Sequence, residues 1–237
     1  MKKIFLSILV IAVSLASLAQ KTINDPNAEV RTAKNFHGIY VSSAFDVYLS
    51  QSNEEAVAVS ANDKETRDRI EVEVKDGILV VGLKKGSWKW NKGNKKLTAY
   101  ISFKNIDKLT VSGACDVFMD GTLKAESLNL NLSGASDIKN MKFDVKKLDA
   151  DISGASDIKT SGVVGQMSIQ ASGASKFRGT DLATDYCDVR VSGASDVSIT
   201  VNKELTAHAS GASGLKYKGD GKITDIKTSG SSRITKI

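Results

Sequence analysis

Through the second half of the chain, apolar and polar residues alternate in short runs, and the runs return at a steady step. Leu128-Asn-Leu-Asn-Leu132 is one such run, and Leu148-Asp-Ala-Asp-Ile152 is the next. A period of two marks a strand with one buried face and one wet face. Each run ends on Ser-Gly-Ala-Ser-Asp or a close variant, beginning at Ser112, Ser133, Ser153, Ser172, Ser192, Ser210 and Ser229, a step of 18–21 residues. Aligned on that serine, the residue just before it is Val111, Leu132, Ile152, Ala171, Val191, Ala209 or Thr228. Two positions earlier stand Leu109, Leu130, Ala150, Ile169, Val189, Ala207 and Ile226. After the motif an apolar residue restarts the pattern: Val117, Ile138, Ile158, Phe177, Val197, Leu215 and Ile234.

A fixed period near twenty predicts a solenoid, in which each coil stacks on the last. One coil offers about five apolar side chains, worth roughly 1.5–3 kcal/mol each when buried. That is too little to offset the ordering entropy of a lone coil, so stacking is obligatory. Leucine-rich repeats need a helical return and an asparagine ladder, and propeller blades need about twice this period. The expected fold is all-β, a right-handed β-solenoid (β-helix) of ~20-residue coils. The motif is its corner. The glycine suits a positive φ or a close approach between coils, and the alanine after it is expected to point inward and let the corner turn tightly.

Residues 35–110 read differently. Ser42–Asp46 resembles a degenerate motif copy, yet the next copy lies 70 residues on. Between them lie strand-like runs at 56–60, 70–74, 78–83 and 97–103, a short helical turn near 62–69, and Asp76-Gly77 as a hairpin signal. This segment is expected to form an antiparallel β unit capping the first coil, because an open end exposes unpaired strand edges. The full division is a signal peptide over 1–19, a linker over 20–34, the capping unit over 35–110 and solenoid repeats over 111–237. The signal reading rests on Lys2 and Lys3, the apolar stretch Ile4–Leu15 and the small residues of Ser17-Leu-Ala19. That stretch is too short to anchor in a bilayer, so the expected location is the periplasm, the cell surface or the medium, with no membrane span.

Taken together, Phe36-His-Gly-Ile-Tyr-Val-Ser-Ser-Ala-Phe-Asp-Val-Tyr-Leu49, Ile70-Glu-Val-Glu-Val-Lys-Asp-Gly-Ile-Leu-Val-Val81 and Leu109-Thr-Val-Ser-Gly-Ala114 with its repeats resemble a bacterial family called putative auto-transporter adhesin, head GIN domain. The resemblance spans nearly the whole chain after the signal segment. It implies an exported β-solenoid without an established activity, and it supplies no catalytic residues. No translocator barrel is expected within these 237 residues.

Composition changes this picture in few places. The formal charge is +6, with two cysteines and two histidines. Cys115 and Cys187 lie four coils apart, on the order of 19 Å at the strand spacing, beyond the reach of a disulfide. They are expected as free thiols, with Cys187 buried. Asp116, Asp137 and Asp157 form a column of carboxylates that Ca²⁺ could relieve. The competing reading is that each bonds its own corner, and Lys176 within the column neutralises part of the charge. No cofactor is expected otherwise. Ser136, Ser156, Ser175 and Ser195 suit a hydroxyl ladder, since neither His37 nor His208 is placed to activate them.

The outlier is the run 84–96, with six lysines, both tryptophans and no acid. Trp88 and Trp90, with Lys84, Lys85, Lys89 and Lys92, suit a sugar ring or an anionic polymer, and equally a solvated hairpin tip whose lysines block edge pairing. The expected function is a non-enzymatic, adhesin-like binding module. Its partner would be an anionic glycan or cell-envelope polymer rather than nucleic acid, met through this run or the polar flat face of the stack. Two alternatives stand beside it: a polysaccharide lyase-like β-helix enzyme using acids such as Asp137 and Asp157 with Lys176 or Arg178, and a structural envelope protein whose ends self-associate.

Overall fold

The structure, a computed structural model, describes residues 25–84 and 96–237. The signal segment and the run 85–95, which holds Trp88, Trp90, Lys85, Lys89 and Lys92, lie outside the described residues. The early strands are β1 (Glu29–Arg31), β2 (Gly38–Val41), β3 (Phe45–Gln51) and β4 (Ala56–Ala61). A short helix, α1 (Lys64–Arg67), precedes β5 (Ile70–Lys75), β6 (Ile78–Leu83), β7 (Leu97–Phe103), β8 (Lys108–Val111) and β9 (Asp116–Asp120). The long strands are β10 (Thr122–Leu132), β11 (Asp137–Ile152), β12 (Asp157–Ala171), β13 (Lys176–Val191) and β14 (Asp196–Ala209). Three short strands finish the chain: β15 (Gly214–Lys218), β16 (Lys222–Thr228) and β17 (Arg233–Lys236).

These strands build a β-solenoid. β10 to β14 pair in parallel, each with the next, in the register that the alternation predicts. Leu109, Leu130, Ala150, Ile169, Val189 and Ala207 stand in one column, and Val117, Ile138, Ile158, Phe177 and Val197 in another. Both columns are buried and belong to one continuous core. Each long strand bends between its two ends. The register slips between Ile138 and Met141, between Lys159 and Ser161, and between Gly179 and Ala183. One coil therefore offers a face before the motif corner and a face after it, joined by these irregular bends.

The segment before the repeats is not a separate sheet. β2 and β3 form a coil of the solenoid, parallel to β8 and β9 on one side and to β6 and β7 on the other. Stacking order and chain order thus differ here. The chain lays the coil 38–51, travels outward through β4, α1 and β5, lays the coil 78–103 outside it, and returns at β8 to the inner side. The degenerate motif at Ser42–Asp46 is the true stacking partner of the first motif. Among the described residues, antiparallel pairing is confined to β1–β4, β4–β7 and β5–β6, at the outer end. The β5–β6 turn is Asp76-Gly77, with φ of 49° and 73°, the left-handed pair that a tight hairpin demands. Helix α1 is capped by Asp63, whose carboxylate accepts from the Thr66 N–H at 2.7 Å.

Three aromatic rings pin this out-of-order region. Tyr48 stacks on Tyr100 at 5.4 Å and on Phe118 at 5.1 Å between centroids, tying β7, β3 and β9 together across their outer face. Such pairs add about 0.5–1.5 kcal/mol beyond burial. The Tyr100 hydroxyl donates to Asp25 at 3.0 Å. Burial, then this bond, pushes the phenol up to about 12.

Candidate functional site

The motif corner holds the faces of the stack in place. At Gly154, φ is +75°, and a Cβ would lie 2.3 Å from the Gly134 carbonyl oxygen of the neighbouring coil. Positive φ and close approach therefore both require glycine here. The approach exists because Ala155 N–H donates to that same oxygen at 2.8 Å, and the bond recurs at each motif. In the copy at Ser42–Asp46, Ser43 takes the glycine position with φ +89°, and its carbonyl accepts from Ala114 N–H at 2.7 Å.

The motif alanines do not point inward. They are exposed, and the following serine turns into the core: Ser136, Ser156, Ser175 and Ser195 are almost fully buried. The strand alternation begins one residue earlier than the sequence reading placed it, because the corner ends at the alanine. Buried hydroxyls need partners, and they find them along the stack. Ser175 Oγ donates to Ser195 Oγ at 3.2 Å, and Ser136 Oγ to the Ser133 carbonyl at 3.1 Å. Cys115 occupies the same column, its thiol donating to the Ser112 carbonyl at 3.4 Å. Cys115 and Cys187 are free and buried, and burial pushes both thiols up. The two histidines bond carboxylates instead of serines, His37 with Asp107 at 2.9 Å and His208 with Asp225 at 3.0 Å.

The aspartate column is neutralised from the side. Lys139 Nζ lies 3.2 Å from Asp116 and 3.3 Å from Asp137, and Arg178 lies 2.6 Å from Asp157. The two carboxylates hold the Lys139 ammonium above its usual range. Neither the turn role nor the calcium role foreseen for these aspartates matches this geometry: they form ion pairs between and within coils. No group of three or more metal-ligating side chains occurs among the described residues.

The face before the corner carries a groove of about 300 Å³. Two outward rows line it along the stack axis: Lys147, Gln166, Tyr186 and Glu204 in one, Asp149, Ser168, Asp188 and Thr206 in the other. Tyr186 is 41% exposed, and Lys203 Nζ stands 5.5 Å from its ring centroid. Lys203 is held there by Asp185 at 2.7 Å. Asp188 Oδ1 is shielded from solvent and has no hydrogen-bond partner among the described residues. The groove thus joins one aromatic face to carboxylates, an amide and hydroxyls. The alternation already places Asp149 on the polar flat face, but not the row that carries Tyr186. The usable signal was the row Lys147–Gln166–Tyr186–Glu204, one residue outside the Leu148 column.

Of the predicted Lys/Trp site, the structure describes Lys84 alone. Lys84 N–H donates to the Arg69 carbonyl at 3.1 Å. At the far side of the run, Lys96 pairs with Asp46 at 3.4 Å.

The model of one protein family, putative auto-transporter adhesin, head GIN domain, matches residues 35–221. The chain belongs to that family. Its fold is shared by a putative adhesin from Bacteroides fragilis (20% identity, TM-score 0.79, covering 89% of this chain and 96% of that one). A putative lipid binding protein from Parabacteroides distasonis is similar at 18% identity and TM-score 0.65, over 90% of this chain and 98% of that one. A putative adhesin from Parabacteroides merdae is similar at 17% identity and TM-score 0.64, over 89% and 95%. No curated protein matches the sequence. Family and fold together make the chain an adhesin-like module. No helix among the described residues is long and apolar enough to cross a membrane.

Proposed function

We propose that this adhesin-like module is exported and non-enzymatic, and that it binds polysaccharide along the groove before the motif corner. The observation that carries the reading is the exposed Tyr186 ring lying beside the carboxylates of Asp149, Asp188 and Glu204 in one concave strip. A sugar ring has an apolar C–H face that packs on an aromatic ring and hydroxyls that donate to carboxylates. The rows run along the stack with a strand repeat of about 4.8 Å, so an extended polymer meets equivalent groups on successive rungs. Asp149, Asp188 and Glu204 stand against Lys147 and the Lys203 over Tyr186, a nearly balanced set that favours a neutral sugar in the groove itself. The run holding Trp88, Trp90 and Lys84 to Lys96 is a second, cationic contact for acidic substituents. The non-enzymatic part rests on the motif serines being spent on the corner ladder and on both histidines being held by carboxylates.

A glycan array followed by titration of the best polymer tests this. Tyr186→Ala is expected to weaken binding about tenfold, the equivalent of ~1.4 kcal/mol. Trp88→Ala/Trp90→Ala is expected to weaken acidic polymers more than neutral ones. Equal binding by wild type and Tyr186→Ala removes the groove from the account.

A further inference from the structure

The two ends of the stack are built differently. At the N-terminal end β4 and β5 pair antiparallel along β7 and β6, and β1 runs antiparallel along β4. At the other end, β16 pairs only with β14, and β17 only with β15, among the described residues. Their outer edges carry no strand. Ile226 continues the buried column that holds Ala207, yet it is 39% exposed, and Ile223 beside Leu205 is 41% exposed. An open edge with apolar residues in its inward columns is a template for another strand.

The sequence around Ile226 says which strand fits. Asp225 and Lys227 flank it and point outward, in the rows of Thr206 and His208. Read in reverse, this triplet presents opposite charges to itself. The Ser229 N–H donates inward to the Ala209 carbonyl at 3.0 Å. By strand alternation Lys227 turns its backbone groups the same way, which leaves the N–H and C=O of Ile226 and Thr228 directed at the free edge.

We propose that this open end pairs with the same end of a second copy, β16 against β16 antiparallel, about a two-fold axis through Ile226. Ile226 then exchanges both backbone hydrogen bonds with its counterpart, and its side chain extends the shared dry interior. Asp225 meets Lys227 of the other copy at the closely spaced positions on either side, twice by symmetry. Within one copy Lys227 already lies 2.8 Å from Asp225, so the dimer joins two ion pairs into a four-charge cluster of alternating sign. The contact is isologous, the same surface on both copies, and so closes at two copies. β16 and β17 lie beyond the span of the family match, so the contact belongs to this chain's own last coil.

Light scattering and sedimentation on the full chain, from micromolar to millimolar concentration, test the proposal. Wild type is expected to shift from one to two chain masses. Asp225→Lys places like charges opposite each other and is expected to raise the dimer dissociation constant at least about tenfold. The exchange Asp225→Lys/Lys227→Asp restores self-complementarity and is expected to restore the dimer, which a merely misfolded Asp225→Lys chain would not explain. A wild type that stays monomeric throughout overturns the proposal. So does an Asp225→Lys chain that dimerises as well as wild type, or a wild type that grows past two copies.

Discussion

Gly154→Ala will cost far more than Gly121→Ala, although both glycines have φ near +80°. At either site alanine must adopt the left-handed region, at about 1–2 kcal/mol. At Gly121 nothing lies within 4 Å of the added Cβ, so that penalty is the whole effect. At Gly154 the methyl would sit 2.3 Å from the Gly134 carbonyl oxygen and 3.0 Å from its nitrogen. Neither is a flexible side chain, so the coils must part, and the Ala155–Gly134 hydrogen bond goes with them. The combined loss is expected to reach about 4 kcal/mol, in the range that only a named defect such as backbone strain produces. For a chain of this size that lowers Tm by roughly 10 °C, against a few degrees for Gly121→Ala. Calorimetry of the two variants side by side makes the measurement, and equal shifts would mean that coil contact does not constrain the corner.

Phe177→Ala is the second large effect. Phe177 is fully buried in the column between Ile158 and Val197. Its ring fills space that its own coil leaves open: a Cβ on Gly179 would lie 2.6 Å from Phe177 Cε1. Truncation leaves a void that rigid neighbouring rungs cannot collapse into, and large aromatic deletions of this kind cost about 3–5 kcal/mol. Phe118→Ala is the matched control. That ring is half-buried on the outside and, among the described rings, stacks on Tyr48 alone, so its loss is expected to cost about 1 kcal/mol. Denaturant midpoints at unchanged slope distinguish the two.

How far the sequence carried can be followed residue by residue. The columns through Leu130 and Ile138 were legible because a period of two and a fixed corner leave one register that buries every apolar residue. The orientation of the corner was not. Ala135 and Ser136 are both small, and polarity argued for the wrong one, since a ladder of hydroxyls satisfies itself only after stacking. The role of Ser43 was hidden for a different reason. Its neighbour in space, Gly113, is 70 residues away in the chain, and no local pattern says that the chain passes outside the coil 38–51 before it returns at β8 on that coil's other side. The Tyr100–Tyr48–Phe118 ladder shows that order only once the coils are laid side by side. The groove escaped notice because the outward row Lys147, Gln166, Tyr186 and Glu204 keeps one place in the repeat but not one chemistry. The aspartate column was visible, but Lys139 and Arg178 sit two residues beyond it, and only the twist of adjacent rungs brings their cations onto it.

The out-of-order stacking, with the coil 38–51 seated against the first motif coil, is the point on which the account turns. Cysteine pairs placed in a Cys115→Ser/Cys187→Ala chain test it directly. Asp46 and Asp116 are register partners on adjacent rungs, within the span a disulfide can bridge. Asp46 and Asp137 are two rungs apart, roughly 10 Å at the strand spacing. Mild oxidation should therefore link Asp46→Cys to Asp116→Cys nearly completely and leave Asp46→Cys with Asp137→Cys unlinked. Linkage of the second pair in preference to the first would contradict the coil order described here.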